Sequence, residues 1–339
     1  MSADVIPLRS RSVAEPSLGP LLALTASGMN AVNAIILDRM QSEIPLIPTL
    51  AGHLIAGGGK RMRPMLTVAG AALCEYQGER HHRLAASVEF IHTATLLHDD
   101  VVDGSDLRRG KETANVVYGN PATVLVGDFL FTRAFELMVE DGSLKVLKIL
   151  SKASSVIAEG EVDQLTAARR IETSEDRYLS IIGAKTAALF AAATRIAAVV
   201  AERDEAAEQA LDSYGRNLGV AFQLVDDAID YDSQAAEMGK GQGDDFREGK
   251  MTLPVILAYA RGNPEERQFW QDAVAGFRND DDDLNHAIAL IRKYDTVTDT
   301  RERARMYAQR AIDAIAGFPA GPARAAMAEA AEFAVSRRF

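Results

Sequence analysis

From Leu21 onward, apolar residues recur at three- and four-residue intervals, and this spacing constrains the possible fold more than any other feature. It predicts helices over Leu21–Glu43, Met62–Tyr76, Arg83–Asp103, Ala122–Val139, Leu144–Arg170, Ser174–Ala201, Glu205–Tyr231, Thr252–Ala260, Leu284–Tyr294 and Thr296–Ala316. Stop signals fall between them, among them Gly57-Gly58-Gly59, Gly119-Asn120-Pro121, Asp141-Gly142, Gly262-Asn263-Pro264 and Gly317-Phe318-Pro319. Several helices exceed twenty residues and are apolar on more than one face, as central helices surrounded by others would be. No Pro/Gly/Ser linker divides the chain. The organisation expected is therefore a flexible tail over 1–20 and one all-α domain over 21–339.

Alanine and leucine dominate, and aromatics are only 6%, which fits helices better than strands. With 47% hydrophobic residues the chain has enough apolar surface to build a core. A net charge of −11 argues against a nucleic-acid partner. The single cysteine, Cys74, excludes an intramolecular disulfide and suits a reducing compartment, here the cytoplasm; it reads as a buried small residue. The first twenty residues lack an apolar h-region, so no secretory signal is expected. In the most apolar region, Ile181–Ala201, Lys185 and Arg195 leave only Thr186–Thr194 uncharged, too short to span a bilayer. A buried helix, and no transmembrane segment, is expected.

Two acidic motifs stand out. Asp99-Asp100-Val101-Val102-Asp103 ends the apolar run SVEFIHTATLLH, and Asp226-Asp227-Ala228-Ile229-Asp230 lies within LGVAFQLVDDAID. On a helix the i and i+4 carboxylates share a face. Such clusters beside apolar stretches are costly unless something positive neutralises them. Oxygen-only ligands select hard cations, of which Mg2+ is the usual one where phosphates complete the shell. By contrast, Asp280–Asp283 reads as a bare solvated charge run.

Cations accompany the acids. Gly57-Gly58-Gly59-Lys60-Arg61-Met62-Arg63-Pro64 is a Gly-rich turn entering a helix, suited to an anion. Arg108 and Arg109 follow the first motif, and Lys240 and Lys250 flank the region after the second. Together they suit a ligand pair carrying two diphosphates, one held through metal and the other by bare cations. His92 lies on the helical stripe of Asp99 and Asp103, while His98 is off it and reads as structural.

The stretches LLHDDVVDGSDLRRG, GGGKRMRP, GAKTAALF and FQLVDDAIDYD with GKGQGDDFREGKMTLP resemble the signature regions of trans-isoprenyl (polyprenyl) diphosphate synthases, closest to the long-chain octaprenyl and decaprenyl branch. The resemblance runs from about Leu21 to the C-terminus. It implies the all-α isoprenoid-synthase fold, with long helices around a deep central cavity, and a homodimer. It implies about three Mg2+ per site, with Asp99, Asp100, Asp103, Asp226, Asp227 and Asp230 as the metal set and Asp244 in support. It places Arg108, Lys185 and Lys240 on an allylic diphosphate, and Lys60, Arg63, His92 and Arg109 on isopentenyl diphosphate. Thr186 and Gln223 would lie near the developing cation, with Gln164 a weaker candidate; the role of Lys250 stays open.

The reaction so implied is head-to-tail prenyl transfer for quinone side chains, with the product handed to membrane enzymes. Loss of the allylic diphosphate is stabilised electrostatically, and water is excluded from the resulting cation. No side-chain nucleophile is needed. Five residues before Asp99, about 7.5 Å down a helix, stands Ala94, followed by Thr95. Short-chain members often carry a bulky aromatic there, so these small residues predict a product of about C40–C50, with Phe131, Phe135 and Met138 as candidate floor residues. The alternatives are a short-chain farnesyl or geranylgeranyl diphosphate synthase, against which Ala94 speaks; a terpene cyclase, against which Lys60, Arg63 and Arg109 speak; and a non-catalytic partner subunit, which would be expected to have lost aspartates.

Overall fold

The computed structural model describes residues 15–56, 60–108, 110–232, 243–276 and 280–337. Most of the tail expected over 1–20 lies outside them, as do the Gly57-Gly58-Gly59 turn, Arg109 and Lys240. The chain runs through α1 (Gly19–Arg39), α2 (Leu46–Ala56), α3 (Met62–Leu73), α4 (Arg80–Val102), the two-residue strands β1 (Leu107–Arg108) and β2 (Lys111–Glu112), α5 (Ala114–Tyr118), α6 (Asn120–Asp141) and α7 (Leu144–Ala167). It continues through α8 (Glu175–Ile182), a π-helical turn (Gly183–Ala187), α9 (Ala188–Val200), α10 (Glu205–Asp230), α11 (Asp244–Arg247), α12 (Leu253–Arg261), α13 (Pro264–Trp270), α14 (Asp281–Lys293), α15 (Thr296–Ala314) and α16 (Pro322–Ser336). The all-α expectation holds; the described strands form one antiparallel hairpin pairing Leu107 with Glu112 and Arg108 with Lys111.

Local chemistry fixes many helix starts. The side chains of Ser143, Ser174 and Asp204 accept backbone N–H groups at the openings of α7, α8 and α10. Asn263 and Glu266 form a reciprocal capping box on α13. The charge run Asp280–Asp283 is not a bare solvated segment: Asp280 caps α14, accepting from the Asp283 N–H, and three acids occupy the first turn, where the helix dipole favours them.

Three apolar clusters make the core. One joins α1, α4, α6, α7 and α9; a second joins α8, α10 and the helices after it; a third packs α3, α9 and α10 against α15 and α16. Glycines permit two close approaches that matter for the site. A Cβ at Gly219 would lie 2.6 Å from Ala187 Cα, so α10 runs directly against the π-helical turn. A Cβ at Gly160 would lie 2.8 Å from Ala184 Cβ and 3.1 Å from the Lys185 backbone nitrogen, so α7 presses on the same turn from the other side.

Two stretches are long and apolar enough to cross a bilayer by length and composition alone, Gly19–Arg39 and Glu175–Val200. The second, expected as a buried helix, has 78% of its most apolar window inside the fold. Cys74 is buried, and burial pushes its thiol up to about 11.

Candidate active site

The first acidic motif ends α4. Asp99 and Asp103 share one face, and each meets a cation from a distant part of the chain: Lys185 Nζ lies 3.6 Å from Asp99 Oδ2, and Lys250 Nζ lies 3.1 Å from Asp103 Oδ2. Burial raises the Asp99 carboxyl, Lys185 opposes that rise, and Asp103 adds to it by repulsion. Asp100 points elsewhere. It is 1% exposed and accepts from Arg108 Nε at 2.8 Å and Nη2 at 2.6 Å. That engagement makes Asp100 a counter-charge that fixes Arg108 and the hairpin after α4, rather than a carboxylate presented beside Asp99 and Asp103.

Lys185 is delivered by the π-helical turn, a local widening that interrupts what the sequence predicts as one helix from Ser174 to Ala201. Its ammonium sits 2.7 Å from Glu161 Oε2 on α7. The next residue, Thr186, donates its hydroxyl to Gln223 Oε1 at 2.8 Å, and Gln223 Nε2 donates to Asp227 Oδ1 at 2.8 Å. One turn of backbone thus links the two acidic motifs, with Lys185 facing the first and Thr186 the second.

The second motif ends α10. Asp227 is fully enclosed, and the Tyr178 hydroxyl donates to its other oxygen at 2.5 Å. Asp230 accepts the backbone N–H groups of Asp244 and Asp245 at 3.1 and 3.2 Å, which ties α11 to the motif. Burial and the neighbouring Asp245 push both Asp227 and Asp230 up to about 8. Asp245 itself rises to about 6, burial outweighing the pull of Lys250. Asp226, more exposed, is met by Arg337 Nη1 at 2.9 Å, from just beyond α16.

The anion-binding cations expected on the other side are partly described. Arg63 is half-buried, and the loss of solvent around it lowers its guanidinium to about 10 against the opposing pull of Glu89 and Asp226. Its Nη1 lies 3.0 Å from His92 Nε2, its guanidinium carbon stacks 4.4 Å from the Phe190 ring centroid, and its buried Nε has no hydrogen-bond partner. A half-buried guanidinium with an unsatisfied, buried Nε is poised for an anion. Lys60 lies 5.2 Å from the Phe333 ring centroid. Gln164 is half-buried on α7, its carbonyl accepting the N–H of Ala168.

This donor set suits a hard divalent cation. Every ligand candidate offers oxygen, and the buried Asp227 and half-buried Asp230 and Asp245 repel one another in the absence of added positive charge. Among the described residues no three side chains converge tightly enough to cage an ion unaided.

The chain-length candidates divide. Ala94 has no accessible surface, and Met138 is 1% exposed; both pack within the cluster that joins α4 to α6. Thr95 is half-buried and donates to the His92 carbonyl at 2.8 Å. Phe131 and Phe135 are also half-buried, their ring centroids 5.3 Å apart. Two hollows open elsewhere, about 330 Å³ among α7, α9 and α10 and about 410 Å³ beside α15 and α16.

Several site residues escape sequence reasoning. Glu161, Tyr178 and Arg337 carry no motif of their own and reach the site only through tertiary packing, and Asp245 lies in a signature stretch without being singled out there. His98 behaves as the structural histidine expected, with Nε2 3.4 Å from Asp128 and 3.3 Å from the Val124 carbonyl.

Comparison with known proteins agrees with this geometry. A family model described as polyprenyl synthetase matches residues 44–291. Octaprenyl diphosphate synthase of Escherichia coli is 46% identical over 314 residues, 93% of this chain and 97% of the relative. A polyprenyl synthase from Caulobacter crescentus, crystallised with calcium and isoprenyl diphosphate, superposes with a TM-score of 0.92 at 53% identity, covering 96% of this chain and 99% of the other. A decaprenyl diphosphate synthase from Rhodobacter capsulatus gives 0.92 at 50% identity, covering 95% and 100%.

Proposed function

Since the chain belongs to the polyprenyl synthetase family, we propose that it is a magnesium-dependent prenyltransferase extending an allylic diphosphate with isopentenyl diphosphate to about C40–C50, for quinone side chains. The observation that carries the reading is the pair of acidic motifs at the ends of α4 and α10, joined by Lys185, Thr186 and Gln223. Asp99, Asp103 and Asp226 would hold the metal, with Asp227 and Asp230 behind them; bound diphosphate oxygens would complete a shell that the carboxylates alone do not form. Magnesium, when bound, supplies positive charge against the departing diphosphate.

The chain's own groups do the rest. Lys185, with Arg108 and Lys240, grips the allylic diphosphate. Arg63 and His92, with Lys60 and Arg109, hold isopentenyl diphosphate so that its alkene faces the allylic carbon. The Thr186 hydroxyl and Gln223 amide turn fixed dipoles toward the developing cation, worth most where water is absent. The buried walls of α4, α9 and α10 exclude water that would quench the cation.

A homodimer is part of this reading: Val116, Val117, Val124 and Leu125 on α5 and α6 are exposed apolar residues that a second copy would cover. The enzyme would work in the cytoplasm and pass its product to membrane enzymes. The test is purified protein with labelled isopentenyl diphosphate, an allylic primer and magnesium. Label should enter a lipid product and vanish with EDTA. No incorporation by this chain alone would overturn the reading in favour of a non-catalytic partner subunit.

A further inference from the structure

The hollow between α7, α9 and α10 lies outside the site described above and has an unusual lining for a chain of net charge −11. Its rim carries Lys145, Lys148 and Lys152 from one stripe of α7, Arg195 from α9 and Arg216 from α10. Two acids face them: Glu208, which pairs with Lys145 and lies 3.5 Å from Arg195, and Asp212, 3.2 Å from Arg216 and 3.9 Å from Arg195. Five cations against two acids leave the rim with a surplus of three positive charges. Among the described residues no carboxylate pairs with Lys148 or Lys152, which stand one helical turn apart and repel each other. Arg195 adds a buried Nε with no hydrogen-bond partner. The lining beneath the rim is apolar: Ile149, Ala153 and Val156 from α7, Ala188 and Ala192 from α9.

A cationic rim over an apolar floor within about 330 Å³ matches a small anion bearing a short hydrocarbon tail. We propose that this groove is a second binding site for a short-chain diphosphate ester, with isopentenyl diphosphate as occupant. The choice of occupant rests on the function proposed above. The cations grip the diphosphate without metal, as guanidinium and ammonium groups do, and the five-carbon tail lies on the alanine floor. The groove is also placed to influence the reaction. Ala188 directly follows the π-helical turn that delivers Lys185 and Thr186, and Val156 is five residues, about 7.5 Å of helix, from Glu161. A ligand seated there bears on the turn linking the two acidic motifs, so substrate concentration would tune the enzyme through the outer face of α9.

The test is calorimetric titration of isopentenyl diphosphate into the full chain in EDTA, which removes metal-assisted binding. Two sites per chain are expected, one lost in Arg63→Ala and the other in Lys148→Glu/Lys152→Glu. Affinity at the second should fall about tenfold or more, because both reversed charges act at short range. Should the reversed pair not fold, Lys148→Gln/Lys152→Gln serves the same comparison. In the rate assay, the lysine variants should match the parent at low isopentenyl diphosphate and lose its response at high concentration. One site only, abolished by Arg63→Ala, would overturn the groove while leaving the proposed reaction intact. Two sites untouched by the lysine variants would overturn it equally. A single site in the parent chain, lost in the lysine variants and untouched by Arg63→Ala, would support the groove and count instead against the active-site assignment.

Discussion

Gly160→Ala is a one-carbon test of how the site is assembled. The added Cβ would lie 2.8 Å from Ala184 Cβ and 3.1 Å from the Lys185 backbone nitrogen. Ordinary carbon–carbon contact begins near roughly 3.5 Å, so the turn or α7 must retreat by about 0.7 Å. The displaced element is the one that sets Lys185 against Glu161 at 2.7 Å and Asp99 at 3.6 Å. Overpacking costs about 1–3 kcal/mol, and alanine's better helix propensity returns about 1 kcal/mol, so net stability falls by about 0–2 kcal/mol. Catalysis should suffer more, since misplacing a reacting constellation by close to 1 Å costs up to about 100-fold. Initial rates with a labelled primer, set beside thermal unfolding of the same preparation, should show a loss of about 10–100-fold with the fold intact, accompanied by a raised KM for the allylic substrate. A variant within twofold of the parent would refute the claim that the contact between α7 and the π-helical turn positions Lys185.

Arg108→Ala would strand the Asp100 carboxylate, buried at 1% exposure, and should cost about 2–3 kcal/mol of stability measured by urea denaturation; an unchanged midpoint would show that Asp100 has another partner. Asp227 and Asp230 are pushed up to about 8 in the folded chain, well above their unfolded value near about 4. The folded state then binds more protons between those limits, so in EDTA its stability should be greatest near pH 4–5 and fall as pH rises toward about 8; stability rising over that window would contradict the burial of these carboxylates. Ala94→Phe should shorten the product to about C15–C20, as its ring would stand about 7.5 Å below Asp99, and chromatography of the lipid showing an unchanged length would discard Ala94 as a gate.

Much of the architecture is legible in the sequence because long helices announce themselves through periodicity. Nine of the ten expected helices appear with shifted ends, α4 beginning at Arg80 rather than Arg83 and α1 stopping at Arg39 rather than Glu43, and the tenth, Ser174–Ala201, is divided into α8 and α9 by the π-helical turn. What periodicity misses is short or poorly amphipathic. Helix α2 is too evenly apolar to show a face, α13 is seven residues long, and α16 is an alanine-rich segment after a Gly-Pro pair that reads as a stop. The π-helical turn is invisible for a different reason, since 3.6-residue periodicity continues through it on both sides.

The candidate site divides the same way. The aspartates, Lys185, Thr186 and Gln223 are found through motifs and fall together. Lys250, whose part the sequence leaves open, proves to reach Asp103 from the loop after α11. Glu161 and Arg337 come from 62 residues after Asp99 and 111 residues after Asp226, and only tertiary packing makes them neighbours of the motifs. Asp100 carries a motif position yet turns away, since the i+1 residue of a helix lies about 100° around its axis from Asp99.

The account's central claim is that this chain builds a long prenyl diphosphate on cation-supported acidic motifs. Sizing the labelled lipid made by the unaltered protein with an allylic primer, isopentenyl diphosphate and magnesium tests it most directly. A product of about C40–C50 is predicted, on the strength of the small Ala94 and Thr95. A product that ends at C15 or C20 would contradict the long-chain assignment.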